Sequence, residues 1–380
     1  MTVANPLSEA TEAVIAAGGE TLNTCYQCGL CTAICPWNLV RSFVTRRLIH
    51  QTQVGLVELE NEEIWLCATC SACVERCPRK VEIIDIVRAL RRIGTQWGAI
   101  PKSLKATITS LAAMGNPWGE AREKRADWAQ GLGVKTFTPD TEFLFFPCCT
   151  PAYDPRAKRI ALATVSILKK AGVDFGILGP EENCCGESIR KVGEEELFQN
   201  LAQANIEAFK RHGVHKILVS SPHCYHTFKN EYPALGGDFE VIHSTQLLAE
   251  LIQEGRIKPV KALGKKVAYH DPCYLGRHNK IYEEPRRVLE SIPGLELIEL
   301  PDSREDSLCC GGGGGRIWMD TKKGERLSDL RIGQALEVGA EVLAVACPYC
   351  LLNFDDSLLS MEEEGLPEIR DIAELVDGAI

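Results

Sequence analysis

The chain is organised around a stretch in its last third, Cys309–Gly315, which reads CCGGGGG. Cys273 precedes this stretch, and Cys347 and Cys350 follow it. Four thiolates hold one [4Fe–4S] cubane, so five cysteines in three places indicate either a surplus thiolate or a cluster of another kind. Glycine directly after a cysteine pair lets backbone N–H groups approach the sulfur atoms closely. The stretch therefore predicts a redox-active iron–sulfur site.

The composition is that of a globular protein from a reducing compartment. Of the 380 residues, 45% are hydrophobic and 25% are charged, and the net charge of −10 argues against a nucleic-acid partner, whose phosphates attract a basic surface. No apolar run approaches the roughly 18 residues of a membrane span, and the start of the chain lacks a secretory pattern. We therefore expect a cytoplasmic protein that reaches the inner face of a membrane only through a partner.

Eighteen cysteines cannot form a disulfide framework where thiols are kept reduced, so their tight spacing predicts metal or iron–sulfur sites and suits an anaerobic cell. Two runs near the start share the ferredoxin spacing C-x2-C-x2-C-x3-C-P, in which the fourth cysteine serves the neighbouring cubane. Zinc would need pairs of C-x2-C instead, so two [4Fe–4S] clusters are favoured. One predicted cluster takes Cys25, Cys28, Cys31 and Cys77, and the other takes Cys67, Cys70, Cys73 and Cys35.

Helical patterns surround these two runs. Apolar residues recur at helical intervals over 37–48 and 83–90, which predicts an α-helical ferredoxin domain at residues 1–100. Glycines and prolines recur through residues 101–141, with a short charged helical piece between them, and we interpret this segment as a linker. The arginines of the first domain are interpreted as solvated helix faces that offset cluster charge, or as a docking patch for an acidic donor. They are Arg41, Arg46, Arg47, Arg88, Arg91 and Arg92.

From residue 142 onward the chain repeats itself. Corresponding cysteines in the two halves are 124, 125 and 126 residues apart, as in the pair Cys149 and Cys273. Strand-like and helix-like segments alternate around these anchors, which predicts two duplicated α/β domains with parallel strands at 142–260 and 261–380. The cysteines follow strand ends, where open α/β sheets bind ligands. The predicted fold class is thus a multidomain α+β protein.

These motifs carry a resemblance. A pattern C…CCG…CxxC that occurs twice behind a two-cluster ferredoxin run resembles the cysteine-rich CCG-domain family, and more closely the heterodisulfide reductase catalytic subunit. It is also similar to the iron–sulfur subunits of glycolate, lactate and glycerol-3-phosphate dehydrogenases. The resemblance implies a non-cubane [4Fe–4S] cluster that cleaves disulfides in one-electron steps, with Cys309 and Cys310 as its catalytic pair. The implied ligands are Cys273, Cys309, Cys310, Cys347 and Cys350.

The first half departs from the family pattern, because Ser221 stands where the second half has Cys347. Cys148 is an extra cysteine that is a candidate replacement. The remaining set is compatible with zinc, an ordinary cubane or an altered cluster, and these alternatives stay open. Its members are Cys149, Cys184, Cys185 and Cys224.

Several rings stand next to these cysteines in the sequence. We expect the neighbouring histidines to form hydrogen bonds that orient or tune the ligands, and the tyrosines to pack over the clusters. The histidines are His223, His226 and His270, and the tyrosines are Tyr225 and Tyr349.

Two functional hypotheses follow. The first is an oxidoreductase subunit of a heterodisulfide-reductase-like anaerobic complex, which passes electrons from the ferredoxin clusters to the CCG region for disulfide cleavage or onward transfer. The alternative is an electron relay of a flavin-dependent dehydrogenase without disulfide chemistry of its own. The chain lacks a dinucleotide-binding fingerprint, so a flavin belongs to a partner. The expected partners are a flavoprotein, a ferredoxin or a quinone-linked membrane subunit, with a disulfide or thiol as substrate. A weaker third hypothesis treats the CCG region as a structural zinc module.

Overall fold

The first part of the chain is helical in the computed structural model, which describes residues 7–380. The first six residues of the predicted ferredoxin domain lie outside the described part. Residues 37–48 do not form one helix, because a 3-10 turn over Pro36–Leu39 is followed by a loop that the side chain of Asn38 closes by accepting from the backbone N–H of Phe43. The helices α1 to α7 are Ser8–Ala16, Leu30–Ile34, Thr45–Gln53, Glu63–Leu66, Ala72–Glu75, Ile83–Gln96 and Lys102–Met114.

The remainder alternates strands and helices, so the predicted mixed α+β fold class is confirmed. The strands β1 to β9 are Lys135–Thr136, Phe143–Phe146, Phe175–Ile177, Lys216–Val219, Glu240–His243, Lys266–Tyr269, Glu296–Ile298, Val342–Val345 and Glu368–Asp371. The helices α8 to α17 are Cys149–Tyr153, Lys158–Lys170, Glu187–Lys191, Glu195–Arg211, Pro222–His226, Ser244–Gln253, Glu283–Glu290, Leu327–Glu337, Pro348–Leu358 and Ile372–Ala379.

Two parallel sheets share one strand order. The first sheet runs β1-β3-β2-β4-β5 and the second runs β7-β6-β8-β9, so β3-β2-β4-β5 corresponds to β7-β6-β8-β9. Every neighbouring pair is parallel. The central strands β2 and β8 are buried at all four residues, as expected for parallel sheets covered on both faces. The common order is what a duplication of one α/β unit would produce.

Residues 101–141, which the sequence suggests are a linker, contain ordered structure. Helix α7 contacts the 3-10 turn Arg316–Trp318 of the second half, and strand β1 adds an edge to the first sheet beside β3. The segment thus ties the helical part to both halves that follow.

The two halves pack through equivalent helices. Helix α9 of the first half contacts α17 of the second, and α13 of the first contacts α14 of the second. Helices α9 and α14 are equivalent, because each follows the first cysteine of its half. Helices α13 and α17 are also equivalent, because each is the last helix of its half. The two contacts are therefore related by an internal pseudo-twofold axis.

Candidate functional site

The structure gathers the eight ferredoxin cysteines into two groups. Each group lines one small cavity, and these groups have the same members as the two predicted clusters. Cys25, Cys28, Cys31 and Cys77 line the first cavity, and Cys35, Cys67, Cys70 and Cys73 line the second. Cys28 is exposed, whereas the other seven are half-buried. The first group therefore lies nearer the surface.

The loops that carry these cysteines adopt unusual backbone conformations. Gln27, Thr69 and Ser71 have φ values of 67°, 50° and 66°, in the left-handed region that side chains rarely adopt. The turns aim backbone N–H groups at sulfur: the N–H of Thr69 donates to Cys67 Sγ at 3.4 Å, and that of Val81 donates to Cys77 Sγ at 3.4 Å. Such N–H···S bonds stabilise thiolates that bind iron.

The second half brings the carboxyl-terminal cysteines together in a buried site. Cys273 follows β6, the Cys309–Cys310 pair follows β7, and Cys347 and Cys350 begin α16. The sulfur atoms of Cys310 and Cys350 lie 3.4 Å apart, and the N–H of Gly311 donates to Cys309 Sγ at 3.3 Å. Hydrogen bonds with Cys309 and Cys350 hold the pKa of Cys310 well below its usual range. The pKa of Cys309 moves the opposite way, well above its usual range, because of its hydrogen bonds with Cys273 and Cys310, so the surroundings favour the thiolate at Cys310.

His270 lies beside this site with a defined tautomer. Its Nδ1 faces Arg331 Nε at 3.2 Å, and an arginine only donates, so Nδ1 is the acceptor and Nε2 carries the proton. Nε2 is buried and has no hydrogen-bond partner among residues 7–380. Burial lowers the pKa of His270, so the ring is neutral. A ring nitrogen lies within 4.8 Å of the sulfur atoms of Cys310 and Cys350, and the three residues form a metal-compatible group.

In the first half the structure adds Cys148 to the four predicted cysteines. Cys148 contacts Cys224, whose sulfur lies 3.4 Å from Cys185 Sγ, and Cys184 contacts Cys149. All five are buried. Cys148, the candidate replacement for the missing thiolate, therefore lies within the group, although it does not occupy the position of Ser221.

A buried arginine that the sequence analysis did not identify lies against this group. Arg125 is 1% exposed, donates to Cys149 Sγ at 3.2 Å and pairs with Glu182 at 3.0 Å. Burial would lower the pKa of Arg125, but Cys149 and Glu182 raise it well above the usual range. A guanidinium held next to a thiol stabilises the thiolate. No periodic signal in the sequence pointed to it.

The two cysteine groups meet at a pair of rings. His223 and Tyr349 occupy equivalent positions of the repeat, and their ring centroids lie 4.8 Å apart. His223 reaches across to Cys347, and Tyr349 reaches back to Ser188 Oγ at 3.1 Å. Burial would lower the pKa of His223, but Glu187 at 3.1 Å and Cys347 raise it to about 10.

The expectations for the rings are met only in part. His223, His270 and Tyr349 lie at the cysteines, as described. Tyr225 does not, because its hydroxyl accepts from Lys229 at 2.7 Å and its ring packs against His243. His226 packs edge-on against Tyr274 instead.

The helical part and the second half contact each other at their cysteines. Cys70 packs against a buried cluster that contains Cys273, Tyr274 and Cys309. The neighbouring thiol of Cys309 and burial raise the pKa of Cys70 well above its usual range. Arg277 secures the contact by donating to the carbonyl of Cys70 at 2.7 Å. The second ferredoxin group therefore adjoins the carboxyl-terminal group directly.

The pentaglycine and Arg91 form the rest of this contact. A side chain at Gly313 or Gly314 would place its Cβ 2.4 Å from the carbonyl oxygens of Ala68 and Cys67, respectively, so only glycine fits. Arg91 is fully buried and donates to the carbonyls of Cys67 at 2.8 Å and Gly314 at 2.9 Å. The interpretation of Arg91 as part of a solvated or docking face is therefore wrong.

The donor sets fit iron–sulfur clusters. The candidate ligands are free thiols in groups of four or five, backbone N–H groups point at their sulfur atoms, and the rings and guanidinium groups around them donate rather than accept. Such surroundings stabilise negative charge on sulfur, which cluster-bound thiolates carry.

Comparison with protein families matches the whole cysteine framework. The model of a family described as a 4Fe-4S dicluster domain matches residues 21–81. The model described as a cysteine-rich domain, CCG, matches twice, at residues 143–229 and 267–355. The matched domains indicate [4Fe–4S] clusters.

Relatives among characterised proteins are redox proteins. The chain is 40% identical over 331 residues to the EtfAB:quinone oxidoreductase of Syntrophomonas wolfei, which covers 83% of this chain and 46% of that protein. It is 32% identical over 390 residues to one subunit of the dihydromethanophenazine:CoB–CoM heterodisulfide reductase of Methanosarcina barkeri, which covers 94% of each. The chain spans about half the length of relatives such as the first, whereas it matches the second almost end to end.

One solved structure shares the fold. A hypothetical protein from Helicobacter pylori superimposes with a TM-score of 0.54 at 12% identity, over 84% of this chain and 63% of that one. Among residues 7–380, no helix is both long and apolar enough to cross a membrane.

Proposed function

Because the chain belongs to the same family as the Methanosarcina heterodisulfide reductase subunit, we propose that it is the iron–sulfur subunit of a heterodisulfide-reductase-like anaerobic complex. The resemblance drawn from the cysteine motifs is confirmed, and the relatives are oxidoreductases or subunits of them. The chain passes electrons between its ferredoxin part and its CCG part. The observation that carries this proposal is the contact between Cys70 and Cys309, which joins one cysteine group of each part.

The cysteine groups supply the ligands in this proposal. The eight ferredoxin cysteines hold two [4Fe–4S] clusters in the groups that line the two cavities, and the five carboxyl-terminal cysteines hold a non-cubane [4Fe–4S] cluster. Such clusters, when bound, take up and release single electrons. The protein's own contribution is to bury Cys309 and Cys310, to donate the N–H of Gly311 to Cys309 Sγ and to hold the pKa of Cys310 well below its usual range.

The exposed end of the ferredoxin part is where a partner exchanges electrons. Cys28 is exposed there, and the neighbouring Tyr26 and Leu30 present large apolar side chains to solvent. Exposed apolar surface beside a redox centre suits a transient contact with another redox protein. We assign this surface to a flavoprotein, a ferredoxin or a quinone-linked membrane subunit.

The first CCG half holds a second metal centre. Its five buried thiols, with Cys148 in the group, support a further [4Fe–4S] cluster over zinc, because Arg125 is set to neutralise extra thiolate charge at Cys149. Tetrahedral zinc would use four of the five and leave one thiol over.

The alternative function is an electron relay without disulfide chemistry, as in the iron–sulfur subunits of flavin-dependent dehydrogenases. The observation that favours it is the departure at Ser221, which removes one thiolate from the position where the second half has Cys347. The Syntrophomonas relative is an EtfAB:quinone oxidoreductase, and a protein that joins EtfAB to a quinone agrees with a relay.

An activity assay separates the two. The protein is purified anaerobically with its clusters, reduced with a viologen dye and mixed with low-molecular-weight disulfides. Disulfide-dependent oxidation of the dye that is lost in Cys310→Ala supports the first function. A wild-type protein that accepts electrons from the dye but oxidises it no faster with any disulfide supports the relay. A protein whose thiol groups bind no iron contradicts both.

A further inference from the structure

The exposed end of the ferredoxin part carries a local positive charge. Residues 25–31, 46–49 and 77–83 contribute the wall of the cavity that Cys28 lines. These three segments include four basic residues and one acid, whereas the whole chain has a net charge of −10. The basic residues are Arg46, Arg47, Arg79 and Lys80, and the acid is Glu82. The surface around the first ferredoxin group is therefore positive on a protein that is acidic as a whole.

Three of these cations have no acidic partner in the described part of the chain. Arg46, Arg79 and Lys80 are exposed, and none of them forms an ion pair within residues 7–380. Arg47, by contrast, pairs with Glu63. The charges of the first three are therefore available to the acidic groups of another molecule.

The unpaired cations lie at the edge of the first ferredoxin group. Arg46 and Pro78 line the same cavity as Cys28. Arg79 and Lys80 directly follow Pro78, and both are exposed there. A molecule that pairs with these cations is thus brought against the most exposed of the ferredoxin cysteines.

Apolar side chains lie among these cations. Tyr26 is 59% exposed and Leu30 is 43% exposed, and they stand on either side of Cys28 in the sequence. Desolvation and Cys28 raise the pKa of Tyr26, and Arg79 acts against this rise, so the charge of Arg79 is close to the ring. An apolar centre with a charged rim is typical of a protein-binding surface, in which tyrosine and arginine are enriched.

The need to offset cluster charge does not account for these exposed cations. The second ferredoxin group is also flanked by arginines, but those are buried and fixed by the chain. Arg91 donates to the carbonyl of Cys67 at 2.8 Å, and Arg277 donates to that of Cys70 at 2.7 Å. The cations at the first group extend into solvent instead, where water weakens their effect on a cluster.

We propose that this exposed end docks a small soluble electron carrier of the ferredoxin type, through an acidic face of that carrier. The inference rests on the proposed function for the cluster at this end, and it selects one kind of partner for the surface. In the exchange the carrier loses one electron and the cluster, when bound, gains it. An anionic lipid surface would suit the cations but carries no electron to the exposed centre. The docking surface consists of Tyr26, Leu30, Arg46, Arg79 and Lys80 around Cys28.

Anaerobic calorimetry between the oxidised, cluster-loaded protein and an oxidised acidic [2Fe–2S] ferredoxin tests the proposal. Because opposite charges drive the docking, we expect binding at about 10 mM salt that weakens about tenfold by about 200 mM salt. Arg79→Glu should weaken binding about tenfold, and Arg79→Gln should weaken it less because it only removes the charge. Lys258→Glu reverses an exposed charge after α13, at the amino-terminal edge of the first sheet, and should bind the ferredoxin as the wild type does.

A second variant and two further probes complete the test. Arg46→Glu reverses another charge of the docking surface and should also weaken ferredoxin binding about tenfold. Cytochrome c, a basic carrier, should bind Arg79→Glu at least as well as the wild type, and an equal loss for both carriers would overturn the proposal. So would a ferredoxin that does not bind at low salt, or that binds Arg79→Glu and Arg46→Glu as it binds the wild type. Phosphatidylglycerol vesicles that bind the wild type and lose these variants, while ferredoxin binding stays constant, would assign the surface to a membrane instead. Both proteins stay oxidised, so a failure here differs from a failure of the disulfide assay.

Discussion

At the scale of single residues, the backbone conformation of Cys148 is the clearest indication of a ligand-binding site in the first CCG half. Its φ of 79° lies in the left-handed region, which costs a non-glycine residue about 1 kcal/mol or more, and such strain persists where the surroundings impose it. The conformation places Cys148 against Cys224, within a group that lacks a thiol at Ser221. This strain supports our proposal that Cys148 is a ligand of the first CCG half.

A substitution at this residue tests its role. Cys148→Ala should lower the iron bound per chain and alter the spectrum of the first CCG half, because one of five thiolates is lost. Iron and zinc analysis after anaerobic purification measures this. Cys148→Gly serves as the matched control, since it relieves the backbone strain and should lose the same metal. Metal content and spectra equal to those of the wild type would refute the ligand role.

Arg125 should set the reduction potential of the same half. Its guanidinium lies 3.2 Å from Cys149 Sγ in a buried site, so it stabilises the reduced, more negative state of a cluster there. Arg125→Gln is expected to shift the midpoint potential of that centre to a more negative value in a redox titration followed by EPR. Arg159→Gln, which removes an exposed arginine of α9, should cause no shift. A potential that rises or stays constant in Arg125→Gln would contradict this electrostatic role.

At the scale of elements, the pentaglycine acts as a contact surface for the ferredoxin part. Gly314 has a φ of 62°, and a Cβ there would meet the carbonyl oxygen of Cys67. Gly314→Ala should therefore separate the second ferredoxin group from the carboxyl-terminal group and weaken the magnetic coupling between their reduced clusters. Gly324→Ala is a matched control, because Gly324 also has a positive φ, 83°, but open space around it. EPR of both variants measures the coupling, and equal coupling in both would rule out the contact role.

Elements were largely predictable from the sequence, and their contacts were not. Strands and helices alternate after residue 142 as the sequence predicts, because short apolar runs and helical periodicity are local signals. The close approach of Gly314 to Cys67 joins residues that are far apart in the chain, so no local pattern reveals it. The glycines were noted, but their partner loop was not.

At the scale of the whole molecule, the duplication brings the cysteine groups of the two CCG halves next to each other. The pseudo-twofold axis passes between His223 and Tyr349, which are equivalent residues in contact with each other. Each ring reaches into the opposite half, to Cys347 and Ser188 respectively. The two cysteine groups of the CCG halves are therefore neighbours, which the separate motifs in the sequence could not indicate.

A buried ion pair helps to hold this assembly. Lys191 and Glu231 pair within the first half, beside the backbone carbonyl of Lys191 that accepts from Arg91 of the ferredoxin part. Burial would raise the pKa of Glu231, but Lys191 and Arg190 lower it to about 2. A depressed carboxyl pKa contributes stability that is fully present above the ordinary value near 4.5 and is lost as the pH falls toward 2.

Glu231→Gln should destabilise the protein by about 3 kcal/mol, since it leaves Lys191 buried without its counter-charge. Thermal unfolding followed by circular dichroism under anaerobic conditions measures the loss. The difference from the wild type should stay constant from about pH 6 to about pH 8, because the folded and unfolded pKa values both lie below that window. Glu196→Gln, at an exposed residue of α11, should unfold with the wild type. An unchanged midpoint in Glu231→Gln would contradict this account.

The cysteines of the site were predictable from the sequence, but the residues that surround them were not. The spacing of the cysteines predicts the two ferredoxin groups and the group of five carboxyl-terminal cysteines, because the chemistry of a cluster fixes the number and spacing of its ligands. The arginines around them escaped notice. The side chains of Arg125, Arg277 and Arg316 are buried, and whether a side chain is buried depends on how the three parts of the chain pack together.

The central claim is that the carboxyl-terminal five cysteines hold an iron–sulfur cluster that exchanges electrons with the ferredoxin part. Anaerobic EPR of the wild type and Cys310→Ala, in reduced and oxidised states, tests it most directly. The account predicts two interacting ferredoxin-type signals in both proteins and a further, distinct signal that only the wild type shows. Identical spectra in the two proteins, or a zinc ion instead of iron in this group, would contradict it.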